Sequence, residues 1–426
     1  MSISLENKIS TAQNLTAALS RVGDKNNVFG FDMIGEALQF VEIEGLPTNK
    51  HEEFKYCNVD AVFRKEFKEI NNSFSEINMP PVVVDAINVY IINGRFESVS
   101  GKAEGLVICD LVAAQKTHKE VVEKNLGAHA KPTSSVFVAL NTAYCQKGLF
   151  VYVEKNAKID KPVYIHYLTD PISVSVINPR TLIVCGAGSN VQIIDDYYSK
   201  GANFFSTHTS EIVVGENAQV KHYKIQNEGD NAFGVITTEV VQSSNSVYDA
   251  ATFIFSGSLV RNNHHVRLFG QNIEAHLNGL IIGRHNALID NHTYIDHAMP
   301  NCNTNELYKG IAYEKSSLVF NGKIMVRRDA QKTNAYQSSK NILMSDDASI
   351  YTKPQLEIYA DDVKCSHGTS TGKVDEDALF YLKARGIGDE SARKLLLQAF
   401  AQELIDKIEI PSLHDKVLEL FEESLK

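Results

Sequence analysis

The chain has 426 residues, a length of two to three ordinary domains and enough to bury a sizeable core. Its 42 basic against 52 acidic residues leave a net charge of −10, with no electrostatic footprint for a phosphate backbone, so nucleic acid is not an expected partner. No apolar run approaches the roughly 18 residues of a bilayer span, and Met1–Lys8 lacks a basic-then-apolar leader pattern, so no membrane association and a cytoplasmic location are expected.

Residues 4 to about 43 read as helical, with Leu5, Ile9, Ala12, Leu15 and Leu19, then Phe31, Ile34, Leu38 and Val41, recurring mostly at three- and four-residue steps. Gly45 and Pro47 supply a stop. Residues 45–56 are polar with an aromatic end, in the manner of a docking segment or of a surface loop closing a helical cap. An N-terminal helical domain is therefore expected over 1–80.

From about residue 82 short β-branched and aromatic runs follow: Val82–Val84, Val89–Ile92, Val163–Tyr167, Thr181–Val184 and Ile212–Val214. No long helical pattern interrupts 160–360, which argues against a sheet wound with helical crossovers. Small or polar residues precede an apolar one at Val191, Val220, Val247, Leu288, Leu318 and Ile350, spaced 29, 27, 41, 30 and 32 residues apart. Turn-forming corners at a near-constant coil length describe a β-solenoid, each rung burying its face against its neighbours. This core is expected over 81–372.

After Gly372 the pattern reverts to helix. Acids at 375–377 suit a first turn, Gly386 and Gly388 end the element, Asp389 is expected to cap a second helix, and a third is expected from Ser412 with Asp415 in capping-box position. Within this module, 373–426, residues 375–426 carry twelve acids against seven bases. It serves either as a solenoid cap or as a partner-docking domain.

The chemistry-bearing motifs are few. There is no GxxxxGK[ST], so ATP binding by this chain is not expected. Gly368–Gly372 matches GxSxG formally, but only His414 follows it, inside an expected helix, so a flexible turn is the simpler reading. Six of the 14 histidines fall within 264–297 without a His-x-His, and fit hydrogen-bonded rungs or a weak metal cluster. The six cysteines form no CxxC pair and read as mostly buried, reduced thiols. Cys365 and His367 lie two residues apart after a strand, so in extended chain both project from one face, with Lys364 nearby to favour a thiolate. Two ligands are too few for a closed structural metal site. The pair fits a shared or interfacial metal centre, or else a packed cysteine beside a solvated histidine. Asp361 and Asp362 could be the acids of a carbohydrate-active β-helix enzyme, although adjacent strand residues face opposite sides.

Several ordered motifs carry a resemblance. Asp296–Cys302, Val319–Ile324, Asp329–Thr333, Gln337, Asn341–Ser345, Lys353–Gly368 and Phe380–Ile387 resemble the SufB/SufD family of iron–sulfur cluster assembly proteins, densely over about 250–410. The short chain, the absence of an N-terminal cysteine motif and the form Ala360–His367 resemble the SufD branch. Pro47–Tyr56 is similar to an early family motif, with Phe54 where Trp is usual and Cys57 where Thr is common. The resemblance implies a right-handed parallel β-helix between N- and C-terminal helical domains, and a noncatalytic scaffold role in complex with SufB and the ATPase SufC. A homodimer of the free chain is a further possibility. It also implies a transient Fe–S cluster shared with SufB, with His367 as this chain's ligand or assembly group and Cys365 secondary. The helices of 375–410 would dock SufC, through Phe380, Arg385, Gly386, Leu395 and Phe400.

Overall fold

A computed structural model describes residues 28–59, 84–145, 147–171, 175–199 and 203–426. The helical pattern expected over 4–27 and the Val82–Val83 part of the first strand run lie outside the described residues.

In chain order the strands are β1 (Ile87–Ile92), β2 (Arg95–Ser100), β3 (Leu106–Asp110), β4 (Leu149–Val153), β5 (Val163–Thr169), β6 (Ser175–Ile177), β7 (Arg180–Cys185), β8 (Asn190–Ser199), β9 (Phe204–Val214), β10 (Gln219–Asn227), β11 (Ala232–Gln242), β12 (Val247–Ser256), β13 (Leu259–Leu268), β14 (Glu274–Gly283), β15 (Leu288–His297), β16 (Asn303–Ala312), β17 (Ser317–Val326), β18 (Thr333–Leu343), β19 (Ser349–Ile358) and β20 (Val363–Gly372). From β8 onward, successive strands alternate between two sheets and pair in parallel with the strand two places away. One sheet runs β2-β1-β5-β8-β10-β12-β14-β16-β18-β20, the other β19-β17-β15-β13-β11-β9-β7-β4-β3, with β6 on β9. The expected parallel β-solenoid is present, two strands to a coil.

Strand periodicity sorts each side chain into the coil or out of it. On β15, Ile289 and Ile295 join the apolar interior, while Asp290, His292 and Asp296 pair with residues outside it. The interior holds a continuous apolar cluster from Ile87 to Ala360, mostly Val, Ile, Leu and Ala with Tyr167, Tyr197, Tyr248, Tyr308 and Phe320, interrupted by buried polar side chains such as Asp195, His222 and Lys224. Corners are set by left-handed residues, among them Asn217, Asn245, Asn272, Asn301, Glu314 and Lys332, with φ between 53° and 61°. Asparagine tolerates this region better than most residues. The six sequence repeats mark two corners rather than one: Val191, Val220 and Val247 are the first or second residues of strands of the first sheet, while Leu288, Leu318 and Ile350 are the first or second residues of strands of the second. The 41-residue gap is therefore one and a half coils.

Helix α1 (Phe31–Glu44) is followed, inside the stretch read as strands, by α2 (Leu111–Thr117), α3 (Lys119–Asn125) and α4 (Val136–Tyr144). Asp110 caps α2 by accepting from the Val112 N–H at 2.7 Å, and Ser135 caps α4 by accepting from the Val138 N–H at 3.1 Å. Every residue of α4 is buried, so it presents no amphipathic period to read. Ala37, Val41, Phe137 and Leu140 cover the outer face of the second sheet at Phe205, Val235 and Leu259. Nearby, the buried Glu211 carboxylate accepts the N–H groups of Gly127 (2.8 Å), His129 and Ala130 (both 3.0 Å) and the guanidinium of the equally buried Arg180.

The C-terminal helices are α5 (Glu376–Ala384), α6 (Asp389–Ile405) and α7 (Pro411–Ser424). Asp375 caps α5, but Asp389 sits in the first turn of α6 behind Gly388, where it pairs with Lys383 and Arg393. The third helix begins at Pro411 with no side-chain cap, so the Ser412–Asp415 capping box does not form. Proline's fixed φ suits that first position. Helices α6 and α7 do not close the end of the solenoid. They fold back along its flank, where Leu397, Ala401, Leu404, Val417 and Phe421 pack on Tyr223, Phe253 and Leu280. Lys416 bonds Asp196 (2.6 Å) and the Tyr164 hydroxyl (2.7 Å), and Lys309 bonds Glu403 and the Phe400 carbonyl (both 2.6 Å). No helix among the described residues is long and apolar enough to cross a membrane.

Candidate functional site at the open end of the coil

Because the C-terminal helices turn back, β19 and β20 are the last strands of their sheets and each is hydrogen-bonded on one side only among the described residues. On β18 the inward positions Thr333, Ala335, Gln337, Ser339 and Asn341 are buried. Their register partners on β20 are Val363, Cys365, His367, Thr369 and Thr371, and this rung has no further coil above it. A terminal rung of unpaired backbone groups is a template for another sheet edge.

The expectation that Cys365 and His367 share a face holds. Cys365 stands opposite Ala335 and packs, with Val363, against the apolar interior, while His367 stands opposite Gln337 and is exposed. The expected help from Lys364 does not materialise: it alternates to the other face, and burial pushes the Cys365 thiol above its ordinary value despite a hydrogen bond from the Ala335 backbone. Beneath His367 the column continues to Gln337, whose Nε2 donates to Glu306 Oε2. Burial pushes the Glu306 carboxyl up to about 7, although Gln337 and the Thr293 hydroxyl act the other way. Sequence reasoning quoted Gln337 without a role and missed Glu306, whose inward placement only the register reveals.

No group of three His, Cys, Asp or Glu side chains able to hold a metal ion forms among the described residues. The histidines of 264–297 disperse over rungs and corners. His264 meets the Tyr248 hydroxyl (3.1 Å), His265 meets Glu239 (2.8 Å), His297 meets Thr304 (3.0 Å) and His285 meets Glu314 (2.8 Å). Asp361 and Asp362 are exposed at a corner, and the Gly368–Gly372 match is the end of β20 rather than a strand-to-helix elbow.

The 45–56 segment is a docking segment that lies across the outer face of the second sheet. Lys353 pairs with Glu52, and Tyr56 stacks on Tyr351 at 4.1 Å, so two of its contacts hold the terminal strand β19. Glu53 meets His292 at 3.1 Å, and the Glu53 carbonyl accepts from Arg261 at 2.7 Å, with the Arg261 guanidinium 4.0 Å over the Phe54 ring. Asp290, bonded to Arg261 at 2.6 Å, also meets His292 at 2.9 Å. Burial alone would lower His292, but Asp290 and Glu53 hold it above the usual histidine value. The hydrogen bond from His292 lowers Glu53 in turn. The contacts of residues 52–56 join positions two to three hundred apart, and no local signal announces them.

On the C-terminal module, Phe380 is 73% exposed and Leu395 46%, and the Arg385 guanidinium lies 5.3 Å over the Tyr381 ring. Gly386 takes φ +86°, which only glycine adopts without strain, and turns the chain from α5 to α6. Phe400 differs from the others: it is half-buried against the flank of the solenoid under the Lys309 ammonium.

Two family models cover most of the chain: the SufBD protein N-terminal region over residues 32–165, and the SufBD core domain of SUF-system FeS cluster assembly over 167–400. The chain is 28% identical to the iron–sulfur cluster assembly protein SufD of Escherichia coli K12, with 88% of each chain covered. It is 34% identical to an iron–sulfur cluster assembly SufBD family protein of Synechocystis, over 76% of this chain and 75% of the relative. To SufD of Bacillus subtilis it is 27% identical, again over 76% and 75%. The chain therefore belongs to the SufBD family of iron–sulfur cluster assembly proteins.

Proposed function

We propose that this chain is a noncatalytic scaffold subunit of the SUF machinery, acting in the cytoplasm, whose open solenoid end seats a homologous SufB chain and whose C-terminal helices dock the ATPase SufC. In this reading the solenoid winds right-handed, as crossovers between parallel strands prefer. His367 is the ligand or assembly group offered to a nascent cluster, Cys365 is a secondary one, and SufB supplies the remaining ligands. ATP stays with SufC. In the absence of SufB the same edge would pair with a second copy of this chain.

The observation that carries the reading is the terminal rung: among the described residues β20 presents an unpaired edge with an exposed imidazole at its centre, while α6 and α7 are anchored along the flank and leave that edge free. Two ligands on an open edge suit a centre completed by a partner, since solvent access and surrounding hydrogen bonds then change on assembly. The outward Phe380, Tyr381 and Leu395 give α5 and α6 an apolar patch for a second partner.

The test is anaerobic reconstitution with iron and sulfide of the chain co-expressed with SufB and SufC, wild type against His367→Ala. The expected result is an intact complex with collapsed cluster absorption. An intact complex with unchanged cluster yield would instead leave the chain as a structural tether for SufC.

A further inference from the structure

The inward column directly beneath His367 is polar, as is an earlier part of the interior, where Asp195 meets His222 and Lys224 meets Thr238. On the preceding strands the same register position is occupied by Gln337 on β18, Glu306 on β16 and Leu277 on β14. Glu306 and Gln337 are both buried, and the carboxamide crosses the coil to the opposite wall, where β17 carries Gly322. A Cβ there would come within 2.1 Å of Gln337 Nε2, so only glycine leaves the amide room. The donor side of that amide is committed to Glu306 Oε2. Its acceptor, Gln337 Oε1, is buried with no hydrogen-bond partner. A buried polar atom without a partner costs about 1–3 kcal/mol, and its presence one strand beneath an exposed imidazole requires an explanation.

We infer that Gln337, its carboxamide oriented by Glu306, is a positioning residue for His367. This rests on the scaffold reading above. When a partner covers the last rung, Gln337 Oε1 accepts the N–H of one imidazole nitrogen, which fixes the tautomer and leaves the lone pair of the other nitrogen facing the partner. Adjacent strands lie about 4.8 Å apart, within reach of a ring and an amide on the same face. A ligating histidine characteristically donates its second nitrogen to an oxygen acceptor. Glu306 sets the direction because an ionised carboxylate only accepts, so the amide nitrogen must face it and the amide oxygen must face away. Burial pushes Glu306 up to about 7, and the column is fully polarised in this sense above that value.

The experiment compares wild type, His367→Ala, Gln337→Met and Gln337→Glu in the co-expressed complex with SufB and SufC at pH 8. Cluster yield, iron bound per complex and co-purification are measured together with the melting curve of the full chain. Methionine is isosteric and apolar, and it removes the acceptor; glutamate keeps an acceptor and adds a second buried carboxyl. Positioning predicts that Gln337→Met loses about tenfold in iron affinity, while Gln337→Glu retains most of it. A packing role predicts the reverse order, with methionine tolerated and glutamate harmful, and that order overturns the inference. Loss of clusters in His367→Ala together with wild-type behaviour in Gln337→Met overturns it and leaves the scaffold reading standing. Wild-type behaviour in His367→Ala overturns both. Should either Gln337 variant fail to melt cooperatively, Glu306→Gln carries the test: its own amide can donate to Gln337 Oε1 and reverse the carboxamide. A several-fold loss of clusters is then expected, and wild-type yield overturns the inference.

Discussion

The two ends of the solenoid are finished in opposite ways. At the start, β2 returns antiparallel on β1 and β3 antiparallel on β4, α1 and α4 cover the outer face, and a buried Arg180–Glu211 pair ties the 127–130 loop to the first coils. At the other end no described strand or helix pairs with the free edges of β19 and β20, although a three-helix module follows directly in sequence and could have done so. That module is instead held along the flank by Lys309, Lys416 and a large apolar contact. Apolar burial therefore holds the module on the flank and leaves the last rung open; in the proposed reading the open end is the working surface and the closed end its foundation.

The comparison breaks most sharply at the foundation. Glu211→Ala removes the acceptor of three backbone N–H groups and strands a fully buried guanidinium, so a loss of about 3–5 kcal/mol is expected by calorimetry. The equivalent insult at the open end, His367→Ala in the free chain, should stay within about 0.5 kcal/mol of wild type. Phe421→Ala, which empties a fully buried site between α7 and the flank, is expected to cost about 3–4 kcal/mol in the same assay. It should loosen the C-terminal module before the coils melt.

The next largest effect is expected in the column under the last rung. The folded-state pKa of Glu306 lies above its unfolded value of 4.5, at about 7, so its contribution is present in full below 4.5 and is lost as pH rises through 7. Glu306→Gln does not titrate. It should therefore gain on wild type with rising pH, by at most about 3 kcal/mol at pH 8, and the advantage should vanish near pH 4. A pH-independent difference between the two melting curves would show that the carboxyl does not titrate in this window. Retaining a group that destabilises the free chain at neutral pH is consistent with a role at the edge above it.

The smallest effect is at the docking segment. His292 is raised, so its pairing with Glu53 is strongest below the unfolded histidine value of 6.5 and weakens as pH rises past it; Glu53 is lowered, so the pairing also weakens as pH falls through the carboxylate range. Hydrogen-exchange protection of 48–57, corrected for intrinsic rates, should therefore be greatest in the mildly acidic range between the two titrations. Protection that is flat across that range would remove the His292–Glu53 contact from what holds β19 in place.

Much of the fold was legible because the solenoid is written locally. Val191, Val220 and Val247 each follow a small or polar corner, and strand periodicity alone puts Cys365 and His367 on one face. What escaped was non-local or non-periodic. Helix α4 is buried on every side and therefore carries no stripe, and the direction taken by α6 and α7 depends on Lys309 and Lys416 finding partners tens to hundreds of residues away. Glu306 is the instructive case. Its sequence neighbours mark it as one more acid in a polar run, and only the register, set by the fifteen strands that precede β16 and their corners, places it inside the coil beneath Gln337.

The alternation that builds the coil also restricts how such a chain can change length. A single residue added within β14 or β16 would exchange the lumen and solvent faces of everything after it up to the next corner, exposing Leu277 or burying Lys309 unpaired. Growth in this molecule is consequently quantised: whole coils of about thirty residues can be gained or lost while every column stays aligned. Fractional additions belong to the corners, where the residue count between strands already varies from one coil to the next.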